Sequence, residues 1–169
     1  MSKETMDILE FALQMERDGE RFYRQLASRT AAPGMKSTLN LLAEDEIKHA
    51  RVLNGMRSES SPPPWAATTV LAQTKNVFQQ MNDRDETLVI DADEALLFRQ
   101  ARDLEQKSID FYLAQATAAA GAAAASRELF LKLAEEEKRH YFLVEHLLVF
   151  ISRPKLWLEN AEFNHLDEY

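Results

Sequence analysis

The chain has 169 residues, of which 46% are hydrophobic and 28% charged, with a formal net charge of −8. This composition is typical of one soluble globular domain with a sizeable core. The acidic balance argues against a nucleic-acid surface, because such surfaces need clustered lysine and arginine. The absence of cysteine excludes disulfides, iron–sulfur clusters, thiolate zinc sites and thiol catalysis. Only four glycines and five prolines interrupt the chain, which favours long helices.

No stretch of the sequence predicts a membrane span or a secretion signal. The longest strongly apolar run, residues 147–151, is far shorter than the roughly 20 residues that cross a bilayer. The first residues lack the basic region and apolar region of a signal peptide. We therefore expect a cytoplasmic protein with neither a membrane nor a nucleic acid as its partner.

The first half of the chain predicts two long amphipathic helices. Apolar residues recur at three- and four-residue spacing over about residues 4–30 and again over about 35–56. The Ala-Pro-Gly sequence at 32–34 is typical of one helix ending and the next beginning. Glu46 and His49 lie within the apolar stripe of the second helix, so they need polar partners inside the core.

The second half predicts a similar pair of helices after a long connection. Residues 58–92 contain a proline-rich break, a shorter helix at about 65–81 and polar turn signals. We interpret this segment as the crossover connection of a four-helix bundle. Asp91 and Glu94 resemble a capping box at the start of the third long helix. Ser126 can cap the fourth long helix, which follows an alanine-rich hairpin loop around Gly121.

Together these elements predict an all-α fold. Residues 1–153 are expected to form a four-helix bundle of two helical hairpins, joined by the long crossover with its short helix. Residues 154–169 are predicted to form a short C-terminal helix or tail that packs on the bundle or on a neighbouring subunit. Apolar side chains in that tail favour such packing.

One pattern of glutamate, tyrosine and histidine occurs in each half of the chain. A glutamate is followed seven residues later by a tyrosine, and a Glu-x-x-His unit lies on the next long helix. A glutamate and a histidine three residues apart leave the same face of a helix. The offset between halves is 89 residues for the first glutamate and 91 for the Glu-x-x-His unit. The repeated residues are Glu16, Tyr23, Glu46 and His49, and then Glu105, Tyr112, Glu137 and His140.

This pattern predicts a site for two metal ions. A glutamate from each of two helices and a Glu-x-x-His unit from each of the other two form the ligand set of di-iron and di-manganese bundles. Four carboxylates balance two divalent ions, which would otherwise repel each other strongly in a low-dielectric core. One imidazole per ion favours transition metals over magnesium or calcium. The predicted metal ligands are Glu16, Glu46, His49, Glu105, Glu137 and His140.

Alternatives to this assignment exist in the sequence. Glu162 and His165 also match Glu-x-x-His, but they lie in the tail without a repeat partner, so we expect a surface or packing role. The repeated pattern could also be two solvated helix faces with accidental symmetry. Glu20, one turn after Glu16, is a possible additional ligand, although the equivalent position in the second half is Ile109.

Other polar residues near the pattern have predicted supporting roles. Tyr23 and Tyr112 are expected to be either core aromatic residues or hydrogen-bond donors to the ligand carboxylates, and in the second role they are the candidate catalytic residues. Asp45 and Glu136, together with the acid before each of them, are predicted to be surface acids. We expect them to pair with the lysine or arginine at 48 and 139.

The four motifs resemble those of the rubrerythrin family of ferritin-like di-iron proteins, over about residues 8–53 and 95–148. The resemblance implies a centre of two iron ions, with manganese or zinc as possible loaded metals, that cycles between ferrous and ferric states. It also implies reduction of hydrogen peroxide or oxygen, in the context of oxidative stress, by a homodimer. In this assignment Glu46 and Glu137 bridge the two ions.

The chain departs from the family pattern in two respects. It lacks the four cysteines of the rubredoxin domain that donates electrons in classical rubrerythrins, so an external protein or small reductant must be the donor. Rubrerythrins also carry an extra glutamate about one turn from the residue equivalent to Glu105, where this chain has Ala101 and Ile109. The ligand set is therefore closer to the symmetric ferritin type.

Two other functions fit the sequence. The first is a ferritin-type ferroxidase that binds, stores or detoxifies iron, which requires assembly of many chains into a shell. The second is a metal-free structural bundle whose apolar tail forms a contact surface. Metal content and oligomeric state distinguish these functions from a di-iron oxidoreductase.

Overall fold

The computed structural model describes residues 3–58, 65, 67–83, 92–119 and 124–152. All the regular secondary structure in these ranges is helical, which confirms the predicted all-α fold. The four long helices pair as two hairpins, and the short helix lies in the crossover between them. The helices are α1 (Lys3–Arg29), α2 (Pro33–Arg57), α3 (Val70–Asp83), α4 (Ala92–Ala118) and α5 (Ala124–Ser152).

The helix boundaries follow the sequence signals closely, with two differences. Pro33 opens α2 after an extended Ala32, because proline has no N–H group to leave unbonded in a first turn. The prediction for Ser126 was wrong: α5 begins two residues earlier, so this serine lies inside the first turn and does not cap it. The crossover helix begins at Val70, several residues after the predicted start at Trp65.

Several predictions fall outside the described residues. They concern the proline-rich break, the cap at Asp91, the hairpin loop at Gly121, the tail, and the Glu162 and His165 pair within the tail. The proposed boundary between a bundle at 1–153 and a tail at 154–169 therefore stays a prediction. No helix in the described part of the chain is long and apolar enough to cross a membrane.

The core consists of two apolar clusters at opposite ends of the bundle. One contains the end of α1, the start of α2 and α4, and the end of α5; Leu39 and Phe150 are fully buried there. The other contains the start of α1, the ends of α2 and α4, and the start of α5, and includes Leu13 and Leu133. On each long helix, buried glutamate or histidine side chains lie between these two clusters. The bundle therefore contains a polar layer between two apolar layers.

Candidate metal centre

The polar layer is formed by six charged or titratable side chains that are almost completely buried. Such burial is very unfavourable for charges unless they are paired or bound to a metal ion. Each long helix contributes to the layer: α1 and α4 supply one glutamate each, and α2 and α5 supply a glutamate and a histidine one turn apart. The six residues, with their exposed fractions, are Glu16 (2%), Glu46 (4%), His49 (4%), Glu105 (3%), Glu137 (1%) and His140 (0%).

These side chains form two overlapping groups, each of which could hold a metal ion. In each group, one potential ligand atom per residue lies within 4.8 Å of every other. Glu46 and Glu137 belong to both groups, as expected of carboxylates between two ions. Group A consists of Glu16, Glu46, His49 and Glu137, and group B consists of Glu46, Glu105, Glu137 and His140.

In group A, the Nδ1 atom of His49 faces the carboxylates. It lies 2.9 Å from Oε1 of Glu137, 3.2 Å from Oε2 of Glu16 and 3.9 Å from Oε2 of Glu46. The histidine and three carboxylates from three helices therefore converge on one point. A metal ion bound there would receive one nitrogen and several oxygen ligands, a set that suits divalent transition metals.

In group B, both nitrogens of His140 have acidic neighbours. Its Nδ1 atom lies 3.4 Å from Glu46, 3.5 Å from Glu137 and 3.9 Å from Glu105. Its Nε2 atom lies 3.5 Å from Oδ2 of Asp45, outside the cluster. An Nε2–H group held by a carboxylate leaves Nδ1 unprotonated and directed toward a metal.

Two atoms of the cluster lack hydrogen-bond partners. Oε1 of Glu137 is fully buried and close to His49, but outside hydrogen-bonding geometry. Nδ1 of His140 is likewise buried without a hydrogen bond. Unsatisfied buried polar atoms cost about 1–3 kcal/mol each, so they need an explanation. Metal coordination satisfies both atoms, and the residues present therefore fit a pair of metal ions.

Protons compensate the charges in the metal-free cluster. Burial, followed by repulsion from Glu137, raises the pKa of Glu46 and Glu105 well above the ordinary value. Burial acts in the same direction on Glu137, but His49 and His140 outweigh it and lower its pKa. The pKa of each histidine is raised, because the carboxylates around it outweigh the effect of burial. The site thus attracts positive charge, which metal ions can supply in place of protons.

The two tyrosines of the repeat hydrogen bond across the bundle. The hydroxyl of Tyr23 donates a hydrogen bond to Glu105, and that of Tyr112 donates one to Glu16. Each tyrosine therefore contacts the glutamate from the other half of the chain. Burial is the largest cause of their raised pKa values, which keeps both hydroxyls protonated. They fix the orientation of the two glutamates that occur in only one group each. A catalytic role for the tyrosines stays a prediction.

Two acids next to the cluster were placed wrongly by sequence reasoning. Asp45 and Glu136 are only 3% exposed, although they do pair with Lys48 and Arg139 as predicted. The crossover covers them: Thr68 donates its hydroxyl to Asp45, and its backbone N–H to Glu136 at 2.8 Å. In the sequence, only their equivalent positions before each Glu-x-x-His unit could have indicated that these two acids are buried. Helix periodicity describes one helix at a time and cannot show that the crossover covers them.

The remaining acids of the pattern lie at the surface. Glu20, the possible additional ligand, is about one-third exposed, pairs with Arg24 at 3.8 Å and belongs to neither group. Glu44 and Glu135 are about half exposed and pair with Arg24 and Lys138, respectively. Surface pairs of this kind contribute little to stability. The structure thus brings together the six predicted ligands and keeps Glu20 apart from them.

Comparisons with known proteins agree with this fold. The rubrerythrin family model matches residues 7–86, which contain most of α1 and all of α2 and α3, and confirms the resemblance over that part of the chain. A comparison with curated proteins finds no match. Among solved structures, a hypothetical protein from Pyrococcus furiosus is similar with a TM-score of 0.65 and 20% identity, over 87% of this chain and 89% of that chain. At that identity the similarity shows the fold alone.

Proposed function

Starting from a rubrerythrin-type, ferritin-like bundle with a buried glutamate and histidine cluster, we propose that the protein binds two iron ions and reduces hydrogen peroxide or oxygen. The observation that carries this proposal is the overlap of groups A and B, which share two buried glutamates. A shared pair of carboxylates holds two ions close together, and paired iron can supply two electrons at one place.

Each residue of the cluster has a distinct proposed role. Glu46 and Glu137 would hold both ions, because among the described residues these two belong to both groups. Glu16 and Glu105 would be terminal ligands. Each accepts a hydrogen bond from a tyrosine hydroxyl, which fixes the orientation of its carboxylate. Each histidine would hold one ion through Nδ1, the nitrogen that faces the carboxylates.

The protein around the cluster controls protons and water. Tyr23 and Tyr112 hold protons next to terminal carboxylates, at raised pKa values that favour retention over release. The two apolar clusters exclude water from both ends of the site, which strengthens every electrostatic interaction within it. Electrons come from a separate protein or small reductant, since the chain has no cysteine to hold an iron–sulfur or rubredoxin-type donor. A cytoplasmic homodimer active in oxidative stress is the proposed form.

Anaerobic reconstitution tests this function directly. Protein loaded with ferrous iron is mixed with hydrogen peroxide or with oxygen, and ferric absorbance is followed by stopped flow. We expect two iron ions per chain and oxidation faster than for free ferrous iron at the same concentration. Glu137→Gln should abolish both signals, whereas Glu20→Gln should preserve them. Retention of no iron, or equal behaviour of the two variants, contradicts the proposal.

A ferritin-type ferroxidase is the second candidate, and one observation favours it. The positions one turn from Glu105 hold Ala101 and Ile109, which are 1% and 6% exposed, so no seventh acidic ligand is available there. A ferroxidase would take up iron well beyond two ions per chain and would form large assemblies. Size-exclusion chromatography and repeated iron additions separate the two candidates. If freshly purified protein contains no iron, manganese or zinc, a metal-free structural bundle is favoured instead. If it contains manganese or zinc, that metal is the one loaded in place of iron.

A further inference from the structure

A cleft lies between α1 and α4, beside the candidate metal centre. Its volume is about 330 Å³, and both helices contribute residues to its walls. Helices α1 and α4 pack against each other far less extensively than α1 packs on α2 or α4 on α5. The wider separation of these two helices leaves the cleft open along one face of the bundle.

The walls of the cleft are mainly apolar. Met15 and Phe22 of α1 face Leu104 and Phe111 of α4, which occupy the equivalent positions in the repeat. At the mouth, Phe11 is 58% exposed and its ring centroid lies 5.1 Å from that of Phe111. Large exposed apolar side chains that line a concavity are typical of a ligand-binding site.

The floor of the cleft consists of residues of the metal centre. Glu46, Glu105 and Tyr23 all line it, so an occupant would contact the carboxylates directly. Gly19 allows this arrangement: a Cβ atom at this position would lie 3.2 Å from the carboxylate carbon of Glu46, closer than side chains usually approach. The cleft is therefore a passage from solvent to the ligand set.

The cleft is larger than oxygen or peroxide requires. A water molecule occupies about 30 Å³ in the liquid, so a cavity of about 330 Å³ has room for roughly ten non-hydrogen atoms. Ligand pockets for organic molecules begin at about 300 Å³. The volume thus fits a small organic molecule that extends from the mouth to Glu46.

The rim of the cleft carries one charged residue from each of the two helices, Asp18 and Lys107. Asp18 lies on the α1 side, where Arg21 and Gln14 already satisfy it. Lys107 occupies the equivalent position on α4, and it makes no ion pair or hydrogen bond among the described residues. A ligand anion at the mouth would find this ammonium group available, in a chain that is otherwise strongly acidic.

We propose that the α1–α4 cleft binds a small organic carboxylic acid with an apolar body. The apolar body lies between the aromatic and aliphatic walls and reaches toward Glu46, and the carboxylate pairs with Lys107 at the mouth. Apolar burial and one ion pair act together in such a site. Binding does not require bound iron, so this site stands apart from the proposed function.

Calorimetric titration of the purified full-length protein with octanoate and with octanol tests the proposal. For ligands of this size we expect a Kd for octanoate of roughly 0.1–1 mM and weaker binding of octanol. Lys107→Gln should weaken octanoate binding by about two- to fivefold and leave octanol binding unchanged, because only a solvent-exposed ion pair is lost. Lys36→Gln, at an exposed lysine on α2, is the matched control and should change neither.

Filling the cleft provides a second test. Ser108→Trp places a large ring inside the lining and should weaken both ligands at least tenfold, whereas Gln106→Trp on an exposed part of the same helix should not. Circular dichroism checks that both variants are folded. Failure of octanoate to bind, or equal effects of the lysine variants, overturns the proposal. The proposal is also overturned if the protein forms a dimer that does not bind octanoate and that Phe11→Ser dissociates. In that case a second copy of the chain would occupy the cleft. If the protein binds octanoate but retains no iron on anaerobic reconstitution, the proposed function fails and the proposal for the cleft stands.

Discussion

Groups A and B have the same ligand types and share two glutamates, yet their surroundings differ. Nε2 of His140 in group B lies 3.5 Å from Asp45, whereas no carboxylate of Glu136 lies within ion-pair distance of His49 in group A, among the described residues. The repeat places Asp45 and Glu136 at equivalent positions. The symmetry of the sequence is therefore not the symmetry of the site.

The crossover is the cause of this difference. A single Thr68 meets both acids, and it offers its hydroxyl to Asp45 and its backbone N–H to Glu136. The same hydroxyl accepts a hydrogen bond from the N–H of Val70 at the start of α3. One segment cannot present identical groups to two symmetric positions. Asp45 is thereby fixed beside His140, where an acidic partner makes the imidazole a stronger ligand.

The largest expected effect comes from removing a shared ligand. Glu137→Gln should abolish binding of both ions, because this carboxylate belongs to both groups. His49→Gln and His140→Gln should each lose one ion, from group A and group B respectively. Metal analysis after dialysis measures these stoichiometries.

Controls for this experiment come from outside the cluster. Glu162→Ala, in the tail, should retain both ions. Loss of metal from Glu137→Ala, His140→Ala and Glu162→Ala to the same extent would refute the assignment of the site.

The second prediction tests the difference between the groups. Asp45→Asn should weaken the binding affinity for the ion held by His140 by about tenfold or more. Loss of the hydrogen-bond partner of a histidine ligand usually has an effect of this size. Glu136→Gln is the matched variant and should have a much smaller effect on affinity. Competition titrations with a chelating dye measure the two binding steps separately. Equal effects of the two variants would mean that the groups are equivalent in solution.

The third prediction concerns pH in the metal-free protein. The pKa values of Glu46 and Glu105 are raised above 4.5, and those of His49 and His140 above 6.5, so the folded state holds these protons more tightly than the unfolded chain. Stability is therefore lost as pH rises through the raised pKa values. We expect the Tm of chelator-treated protein to fall by roughly 5 °C or more between about pH 6 and pH 9.

Thermal unfolding of two variants relates this pH dependence to the comparison. Burial lowers the pKa of His140, and the largest opposing effect is the hydrogen bond that its Nε2–H group donates to Asp45. Asp45→Asn should therefore lose less stability than wild type as pH rises, and complete that loss at lower pH, whereas Glu136→Gln should follow wild type. Saturating metal should flatten all three curves. A metal-free Tm that rises with pH would contradict the assignment.

The smallest expected effect is that of the crossover residue. Thr68→Val removes the hydroxyl that donates a hydrogen bond to Asp45, and it should reduce the free energy of unfolding by about 1 kcal/mol. It should also narrow the difference in affinity between the two groups. Thr68→Ser keeps the hydroxyl and serves as the control. Chemical denaturation and the dye titration measure the two effects, and unchanged affinities would assign Thr68 a purely structural role.

Much of the site was predictable because helices are local structures. Spacing of three residues puts Glu137 and His140 on one face wherever the helix lies, and repetition in both halves separates real pairs from accidental ones. Likewise, Glu20 could be judged less suitable than Glu16 from the missing acid at Ile109. The structure agrees, since only Glu16 of these two α1 glutamates reaches the cluster.

Other features were beyond the reach of periodicity. The burial of Asp45 and Glu136 depends on Thr68, which is separated from them by more than 20 and 60 residues, respectively. The pairing of each tyrosine with the opposite glutamate depends on how the two hairpins face each other. No local pattern encodes these distances.

The sequence by itself determined the helices, their polar layer and the six candidate ligands, because hydrophobic spacing and helix geometry act over a few residues. Only the tertiary structure decided that the two groups overlap at Glu46 and Glu137, that the crossover breaks their symmetry, and that a cleft opens between α1 and α4. Those features arise from packing between segments far apart in the chain, and the separation of α1 from α4 depends on all four helices at once.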